Sequence, residues 1–136
     1  MAIFGIGAYY DEDMSQKFIE NSIAGPGWDE FSAPELFQYV ASLKVGDIVY
    51  LKSCPPSSKD IHVKAIGFIA NSKLLTEIKD TGNIVSAGRR INWINTEKFT
   101  IPRPQEKNNV RSNTMYEEFH PDIQKEIMAK LLSSIK

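Results

Sequence analysis

The chain has 136 residues, the size of one domain that can bury a hydrophobic core of its own. Hydrophobic residues make up 42% and charged residues 24%, an ordinary composition for a folded soluble protein that argues against disorder. The net charge of −1 is unevenly spread, because residues 1–38 carry seven acids and one base, whereas the remainder carries fifteen bases and ten acids.

The N-terminal third is predicted to form one strand and two helices. Aromatic and β-branched residues indicate a first strand over Ile3–Tyr10, on which Gly5 and Gly7 leave one face bare for a packed aromatic ring or a ligand. A short amphipathic helix is expected from Asp13 to the Gly25-Pro26 stop. The capping box Ser32-Ala-Pro-Glu35 predicts a second helix through Leu43.

The middle of the chain is predicted to form two paired strands. The turn Val45-Gly-Asp47 precedes a strand that begins at Ile48, and a proline-rich loop leads to a second strand over Ile61–Ile69. Gly67 lies inside that second strand, and an interior glycine indicates a bulge, a bend or the close approach of another backbone. These strands suit a small, strongly curved sheet.

The last third is predicted to contain further strands and a final helix. A helical turn is expected within the polar stretch Asn71–Asn83, followed by strands over Ile84–Ile94 and Lys98–Ile101. Arg103–Thr114 has little to bury and is interpreted as a loop. The last helix has Pro121 in its first turn. Its apolar residues recur every three or four positions: Ile123, Ile127, Met128, Leu131, Leu132 and Ile135.

This order of elements predicts a single α+β domain over residues 1–136. We expect a small, mostly antiparallel β-barrel of five or six strands, with helices inserted after the first strand and a helix at the C-terminus. The N-terminus has neither a basic segment nor a long apolar run, so we expect no secretory signal, no membrane span and a cytoplasmic location.

No pattern of catalytic or metal-binding residues stands out. Cys54, His62 and His120 do not have the spacing of zinc ligands. The acids Asp11–Asp13 suit the N-terminus of a helix, where negative charge favours the helix dipole. The chain contains no Walker loop, catalytic triad or paired-carboxylate site. We therefore expect a binding protein, not an enzyme, with no catalytic residue, cofactor or metal.

One resemblance rests on the residues between Gly27-Trp28 and Ile69. A tryptophan precedes a helix, the turn Gly46-Asp47 opens a strand that ends at Lys52-Ser53, and a strand with Gly67 follows. This arrangement resembles the PUA-like superfamily, in particular its EVE and YTH-related branch. The resemblance covers about residues 28–70. It implies a PUA-like barrel that accepts a modified or flipped-out base of DNA or RNA in an aromatic pocket, often beside nucleases in prokaryotic or phage defence.

The resemblance also implies roles for particular residues. A flipped-out base needs flat surfaces for stacking and polar groups for its edge, and a strand needs cations for its phosphates. The expected base pocket is Trp28, Trp93 and Tyr10 for stacking, with Ser53, Asp29 and Asn92 at the base edge. The expected phosphate contacts are Lys52, Lys64, Arg89 and Arg90. For the two tryptophans a place in the core, and for the two arginines a solvated face, remain alternatives.

A second class of function fits the same sequence. The acidic first third suits a small protein-interaction or inhibitor module, encoded by a phage, and a polar pocket suits a protein that sequesters a free nucleotide. A nucleic acid, a nucleotide or a partner protein such as a nuclease are therefore the expected partners. The charge asymmetry alone does not choose among them, because a solvated charge distribution without any partner is equally compatible with it.

Overall fold

The structure, a computed structural model, describes residues 2–10, 12–27, 34–53, 59–104 and 114–135, with the side chains of residues 9, 10 and 12 left aside. Within these ranges the elements are β1 (Ile3–Gly7), β2 (Tyr9–Tyr10), β3 (Glu12–Asp13), α1 (Ser15–Glu20), β4 (Ile23–Ala24), α2 (Pro34–Ser42), β5 (Ile48–Ser53), β6 (Asp60–Leu75), α3 (Ile78–Thr81), β7 (Gly88–Asn95), β8 (Phe99–Pro102), β9 (Met115–Glu117) and α4 (Pro121–Ile135).

The described strands form a main sheet of seven in the order β4-β7-β6-β5-β1-β9, with β8 paired to β6 beside this path. Every pair in it is antiparallel except β1 with β5. Those two strands run parallel because α1, β4 and α2 carry the chain across between them. The strands β2 and β3 form a separate antiparallel pair.

The architecture is α+β: a curled, mixed sheet forms a half-barrel, helices follow the first strand, and α4 lies at the C-terminal end. This confirms the predicted class, the mostly antiparallel pairing and the final helix. The sheet has one or two strands more than expected, because β4 and β9 are too short to give a clear pattern in the sequence. No helix in the described ranges is long and apolar enough to span a membrane.

The strand β6 organises the sheet. It is 16 residues long, and it pairs with β5 on one edge and with both β8 and β7 on the other. Lys52 is opposite Val63 and Leu51 is opposite Ala65, so Lys64 is an extra residue in this register. An extra residue of this kind is a β-bulge, which bends a strand and can redirect a side chain.

Gly67 marks a second irregularity of β6, at the register shift between Ile66 and Gly67. A Cβ atom at this position would lie 2.5 Å from the backbone oxygen of Asn92 on β7. The close approach of another backbone predicted for this glycine is therefore confirmed.

Two hydrophobic clusters lie against the sheet. Helices α1 and α2 contribute Phe18 and Val40 to one of them, and α4 contributes Ile123, Ile127 and Leu131 to the other, all five at most 1% exposed. The predicted apolar stripe of α4 ends early, because Leu132 and Ile135 are 54% and 57% exposed. The core side of this helix therefore stops at Leu131.

The ends of some helices and strands differ from the predicted ones, because pairing with distant strands sets them. The first helix ends at Glu20, Ser22 adopts a positive φ of 52°, and Ile23 then pairs with Arg90 of β7. The strand β6 continues to Leu75, into the polar stretch in which only a helical turn was expected. Residues 70–73 expose their side chains and so lack the apolar pattern of a strand. The expected helical turn is α3.

Candidate functional site

An open cavity of about 450 Å³ lies where β5, β6 and β8 meet. Strand pairing positions its wall, because Ser53 is opposite His62 on one edge of β6 and Thr100 is opposite the same histidine on the other. The lining residues are Ser53, His62, Val63, Lys64, Lys98, Phe99 and Thr100. A volume of this size falls within the range of roughly 300–1,000 Å³ typical of small-molecule sites.

The β-bulge of β6 places Lys64 on the cavity wall. Its Nζ lies 2.8 Å from Oδ2 of Asp13, the last residue of β3. The same carboxylate accepts hydrogen bonds from the backbone N–H and the hydroxyl of Ser15, at 3.0 and 2.6 Å, at the start of α1. Lys64 therefore connects the cavity to the β2–β3 pair and to α1.

The ion pair fixes the charge of Asp13. Partial burial alone raises the pKa of this carboxyl, but the hydrogen bonds from Lys64 and Ser15 and the positive charge of Lys64 outweigh burial and lower the pKa to about 2. Asp13 is consequently ionised throughout the physiological pH range. It neutralises part of the positive charge beside the cavity.

Phe99 gives the cavity its aromatic surface. The ring is partly buried and packs against the cluster that α4 completes. From α4, Lys130 places its ammonium 5.1 Å from the ring centroid, within the distance of a cation–π contact. Lys130 therefore contacts the ring from α4, whereas Lys64 and Lys98 are the lysines that line the cavity.

The polar side chains of the wall are mainly hydrogen-bond donors. Two lysines, a histidine and two hydroxyl side chains line it, and no carboxylate does so among the residues the structure describes. Ammonium groups only donate hydrogen bonds, whereas hydroxyls both donate and accept. The wall thus suits a ligand rich in acceptor oxygens or negative charge, with an aromatic or apolar part against Phe99.

Two of the predicted site residues meet here. Ser53 and Lys64 both line the cavity. Lys52 is the neighbour of Ser53 on β5 but is only 7% exposed, and its Nζ lies 5.4 Å from the ring centroid of Tyr116. Trp28 and Asp29 lie outside the described residues, as does the side chain of Tyr10.

Arg89 is placed differently from its predicted role in phosphate binding. It is 2% exposed, and its guanidinium donates to the carbonyl oxygens of Val40, Leu43 and, at 2.9 Å, Asn71. Val40 and Leu43 lie at the C-terminal end of α2, where carbonyls lack partners within the helix and the dipole favours a cation. Burial lowers the pKa of Arg89, and the charge of Asp47 opposes that change.

The neighbouring residues of β7 also lie apart from the cavity lining. Arg90 donates to the carbonyls of Asn21 at 2.9 Å and Asp80 at 3.2 Å. Trp93 is partly buried against the cluster beside α1, and its indole N–H donates to the carbonyl of Phe18 at 3.0 Å. Asn92 is exposed on the same strand. The structure therefore separates these predicted residues from Ser53 and Lys64.

A second polar group is enclosed by the sheet. The hydroxyl of Tyr50 lies 2.8 Å from both the hydroxyl of Tyr116 and Oε1 of Glu118, and Glu118 is 1% exposed. Burial, and then the neighbouring Tyr116 and Glu118, raise the pKa of Tyr50 far above its ordinary value. Tyr116 occupies the bare face of β1, since a Cβ on Gly5 would lie 2.5 Å from its ring. This confirms the packed aromatic among the two predicted explanations for Gly5.

Several residues of the cavity escape sequence reasoning. His62, Phe99 and Thr100 gave no signal as site residues, and Lys98 was only one of several bases in the last part of the chain. Lys98 and Thr100 alternate along the predicted strand, which indicates a shared face. Their place opposite the start of β6 depends on the pairing of β8, which a short strand does not reveal.

Two further features of the described residues suit such a ligand less well. A cavity of about 390 Å³ between β8 and α4 is lined by both signs of charge, Arg103 and Lys125 against Asp122 and Glu126. No group of three or more His, Cys, Asp or Glu with the geometry of a metal site occurs within the described ranges. Comparison of the sequence with models of known protein families and with curated proteins found no match.

Proposed function

We propose that this protein is a nucleic-acid-binding module of the PUA-like type, which takes a flipped-out base carrying a modification into the cavity between β5, β6 and β8. One observation supports this most directly: a single cavity of about 450 Å³ combines an aromatic ring, two hydroxyls and three basic side chains. The curled sheet and the close approach at Gly67 are compatible with a PUA-like barrel.

In this proposal Phe99 supplies the surface on which the base packs. Stacking of a base on an aromatic side chain contributes about 1–3 kcal/mol. The hydroxyls of Ser53 and Thr100 are cross-strand neighbours of His62, so the three side chains present donors and acceptors along one row. Such a row suits the polar edge of a base that has left its stack.

The lysines around the cavity bind the strand that carries the base. Lys98 is exposed, and Lys130 lies over Phe99 from the exposed side of α4. Cations in these places reach phosphates on either side of a base seated against the ring. Arg89 is left out of the proposed contacts, because protein carbonyls take up its guanidinium.

Fluorescence anisotropy with a single-stranded oligonucleotide of about twelve nucleotides tests the proposal. The strand carries one central base, either unmodified or methylated, in DNA and RNA forms. We expect Phe99→Leu to weaken binding roughly 5- to 100-fold, because stacking is lost. Phe119→Leu is the matched control, since Phe119 is 73% exposed and does not line the cavity.

Three results would count against the proposal in different ways. Equal affinity for methylated and unmodified strands would rule out recognition of a modification. An equal loss of affinity in Phe99→Leu and Phe119→Leu would rule out the cavity as the binding site. Absence of binding to every strand would rule out a nucleic acid as the partner. Trp93→Phe, away from the cavity lining, should leave the affinity unchanged.

The salt dependence of binding provides a second readout. Each phosphate that a lysine neutralises contributes about 0.7 to the slope of log K against log salt for a single strand. Lys98→Ala should reduce the slope by about that amount. Lys79→Ala is the control, because α3 follows the opposite end of β6 from the cavity.

The same cavity also suits a free nucleotide, the second candidate function. Its volume and its mixture of aromatic, hydroxyl and basic groups need no neighbouring phosphates. A nucleotide at a hundred times its dissociation constant raises the free energy of unfolding by about 2.7 kcal/mol, and the melting temperature rises as a result. Mononucleotides that bind as tightly as oligonucleotides would favour this candidate over the nucleic acid.

A further inference from the structure

The groups around the cavity favour an acceptor-rich ligand over a base edge alone. A base edge presents both donors and acceptors, whereas an ionised phosphate presents only acceptors. Lys64 and Lys98 only donate, and the hydroxyls of Ser53 and Thr100 are able to donate. No carboxylate lines the wall within the part of the chain that the structure describes. This composition complements phosphate oxygens.

The position of the cations matters as much as their number. Lys64 is the bulged residue of β6, its side chain is only 17% exposed, and it lines the cavity. Lys98, the residue before β8, lines the same cavity. A base held by an internal phosphodiester leaves its phosphates outside the pocket, whereas cations within the wall match a charge that enters it.

The ammonium of Lys64 already holds one anionic oxygen, that of Asp13, which lies beside the cavity and does not line it. Its Oδ2 lies 2.8 Å from Nζ of Lys64, a distance typical of a charge-assisted hydrogen bond. A phosphate beside Lys64 meets this carboxylate as a like charge and competes with it for the ammonium. The carboxylate therefore weakens anion binding in the cavity, and its removal should strengthen it.

We propose that the ligand in the cavity is the end of a nucleic-acid strand that carries a terminal phosphate, bound by Lys64 and Lys98 with the hydroxyls of Ser53 and Thr100. This rests on the proposed function and specifies its substrate. A phosphate monoester carries about −1.5 to −2 charges at pH 7, against one for an internal phosphodiester. The cavity, at about 450 Å³, has room for a phosphate beside an aromatic group packed on Phe99.

Strands of identical sequence with different ends test this inference. The probes carry a 5′-phosphate, a 3′-phosphate or hydroxyls at both ends, with the fluorophore on an internal base. We expect one phosphorylated strand to bind about tenfold more tightly than the hydroxyl strand, because charged hydrogen bonds to the phosphate are added. Inorganic phosphate should abolish that difference.

Three variants and two controls assign the effect to the cavity. Lys64→Ala and Lys98→Ala should remove the preference for the phosphorylated end, whereas Lys79→Ala should keep it. Asp13→Asn should raise the affinity for the phosphorylated strand severalfold. Glu77→Gln is its matched control, because Glu77 pairs with Lys79 at 3.2 Å on the exposed surface. Urea unfolding of each variant shows that it is folded under the conditions of the binding assay.

The outcomes separate this inference from the function it rests on. Equal affinity for phosphorylated and hydroxyl ends overturns the terminal phosphate but leaves a base-binding module intact. A phosphate preference that survives in both Lys64→Ala and Lys98→Ala overturns the assignment to this cavity. Failure to bind any strand overturns both the inference and the proposed function.

Discussion

Lys64 and Arg89 are both cations beside register shifts of β6, yet the fold uses them in opposite ways. Lys64 is the extra residue of the bulge opposite β5 and lines a cavity. Arg89 is opposite Leu74, beyond the shift that follows Ile69, and its guanidinium points to the carbonyls at the end of α2. The difference lies in what the protein itself offers: three carbonyl acceptors to Arg89 and a single, half-exposed carboxylate to Lys64.

Other polar side chains of the sheet fall into the same two groups. The cluster of Tyr50, Tyr116 and Glu118 resembles Arg89, because its hydrogen bonds are made within the protein and away from water. Ser53, Lys98 and Thr100 resemble Lys64, because they line the cavity. Substitutions in the first group should lower the free energy of unfolding without changing binding. Substitutions in the second group should weaken binding with little change in the free energy of unfolding.

The largest effect is expected for Arg89→Met. Methionine keeps the apolar stem but leaves the carbonyls of Val40, Leu43 and Asn71 without their donor, which should lower the free energy of unfolding by about 3–5 kcal/mol. Urea unfolding followed by circular dichroism measures this loss. Oligonucleotide affinity of the folded fraction should stay unchanged.

Arg90→Met is the control for this substitution. Arg90 is less buried and donates to two carbonyls, so about 1 kcal/mol of stability should be lost. A variant Arg89→Met that keeps the stability of the natural protein but binds oligonucleotides less tightly would reverse the comparison. It would place Arg89 with Lys64 among the ligand contacts.

Tyr50→Phe should have the next largest effect, about 1–3 kcal/mol at neutral pH, because Tyr116 and the buried Glu118 each lose a partner. Tyr39→Phe is the control, since Tyr39 is 40% exposed on α2. The aromatic ring remains in both variants. A difference between them therefore measures the buried hydroxyl, and equal stability would contradict the role of the cluster.

Alkaline pH distinguishes Tyr50 further. Its pKa is raised in the folded protein above the ordinary value of 10.0, which applies to the unfolded chain. The neutral phenol therefore stabilises the fold fully below pH 10, and that contribution is lost as the pH rises above it, by up to about 1.4 kcal/mol per pH unit. Urea unfolding between about pH 8 and pH 11 should show a steeper decline for the natural protein than for Tyr50→Phe.

Local patterns in the sequence predict the parts of the fold that local chemistry decides. The turn before Ile48 and the apolar side of α4 depend on neighbouring residues, and both are present. The parallel pairing of β1 with β5 and the short strand β9 depend on contacts between distant residues. No periodicity within a segment carries that information.

The residues of the candidate site were likewise predictable only in part. Ser53 and Lys64 were named because the resemblance covers the two consecutive, strongly patterned strands on which they lie. Phe99 and Thr100 belong to a four-residue strand whose partner, Asp60–Val63, lies far earlier in the chain. For Arg89 and Trp93 the resemblance implied contacts with a ligand, with a solvated face and a place in the core as the alternatives, and a basic or aromatic side chain packs equally well against carbonyls within the protein.

The smallest effect is expected for Asp13→Asn, which links the two groups. The pKa of Asp13 is about 2 in the folded protein and 3.8 ordinarily, so its charge stabilises the fold above pH 3.8, and this contribution disappears as the pH falls through 2. The carboxylate is 49% exposed, and solvent screening keeps the loss in Asp13→Asn below about 1 kcal/mol at pH 7. Urea unfolding measures the loss, with Glu77→Gln as the control.

Near pH 2 the natural protein and Asp13→Asn should converge in stability, since protonation removes the charge that the substitution removes. At pH 7 the variant should instead bind a phosphorylated strand more tightly. If the carboxylate only stabilises the fold, Asp13→Asn should lose stability without binding the strand more tightly. If it only opposes the ligand, the variant should bind more tightly without losing stability. Both changes together would show that Lys64 is shared between the fold and the ligand, the feature that separates it from Arg89.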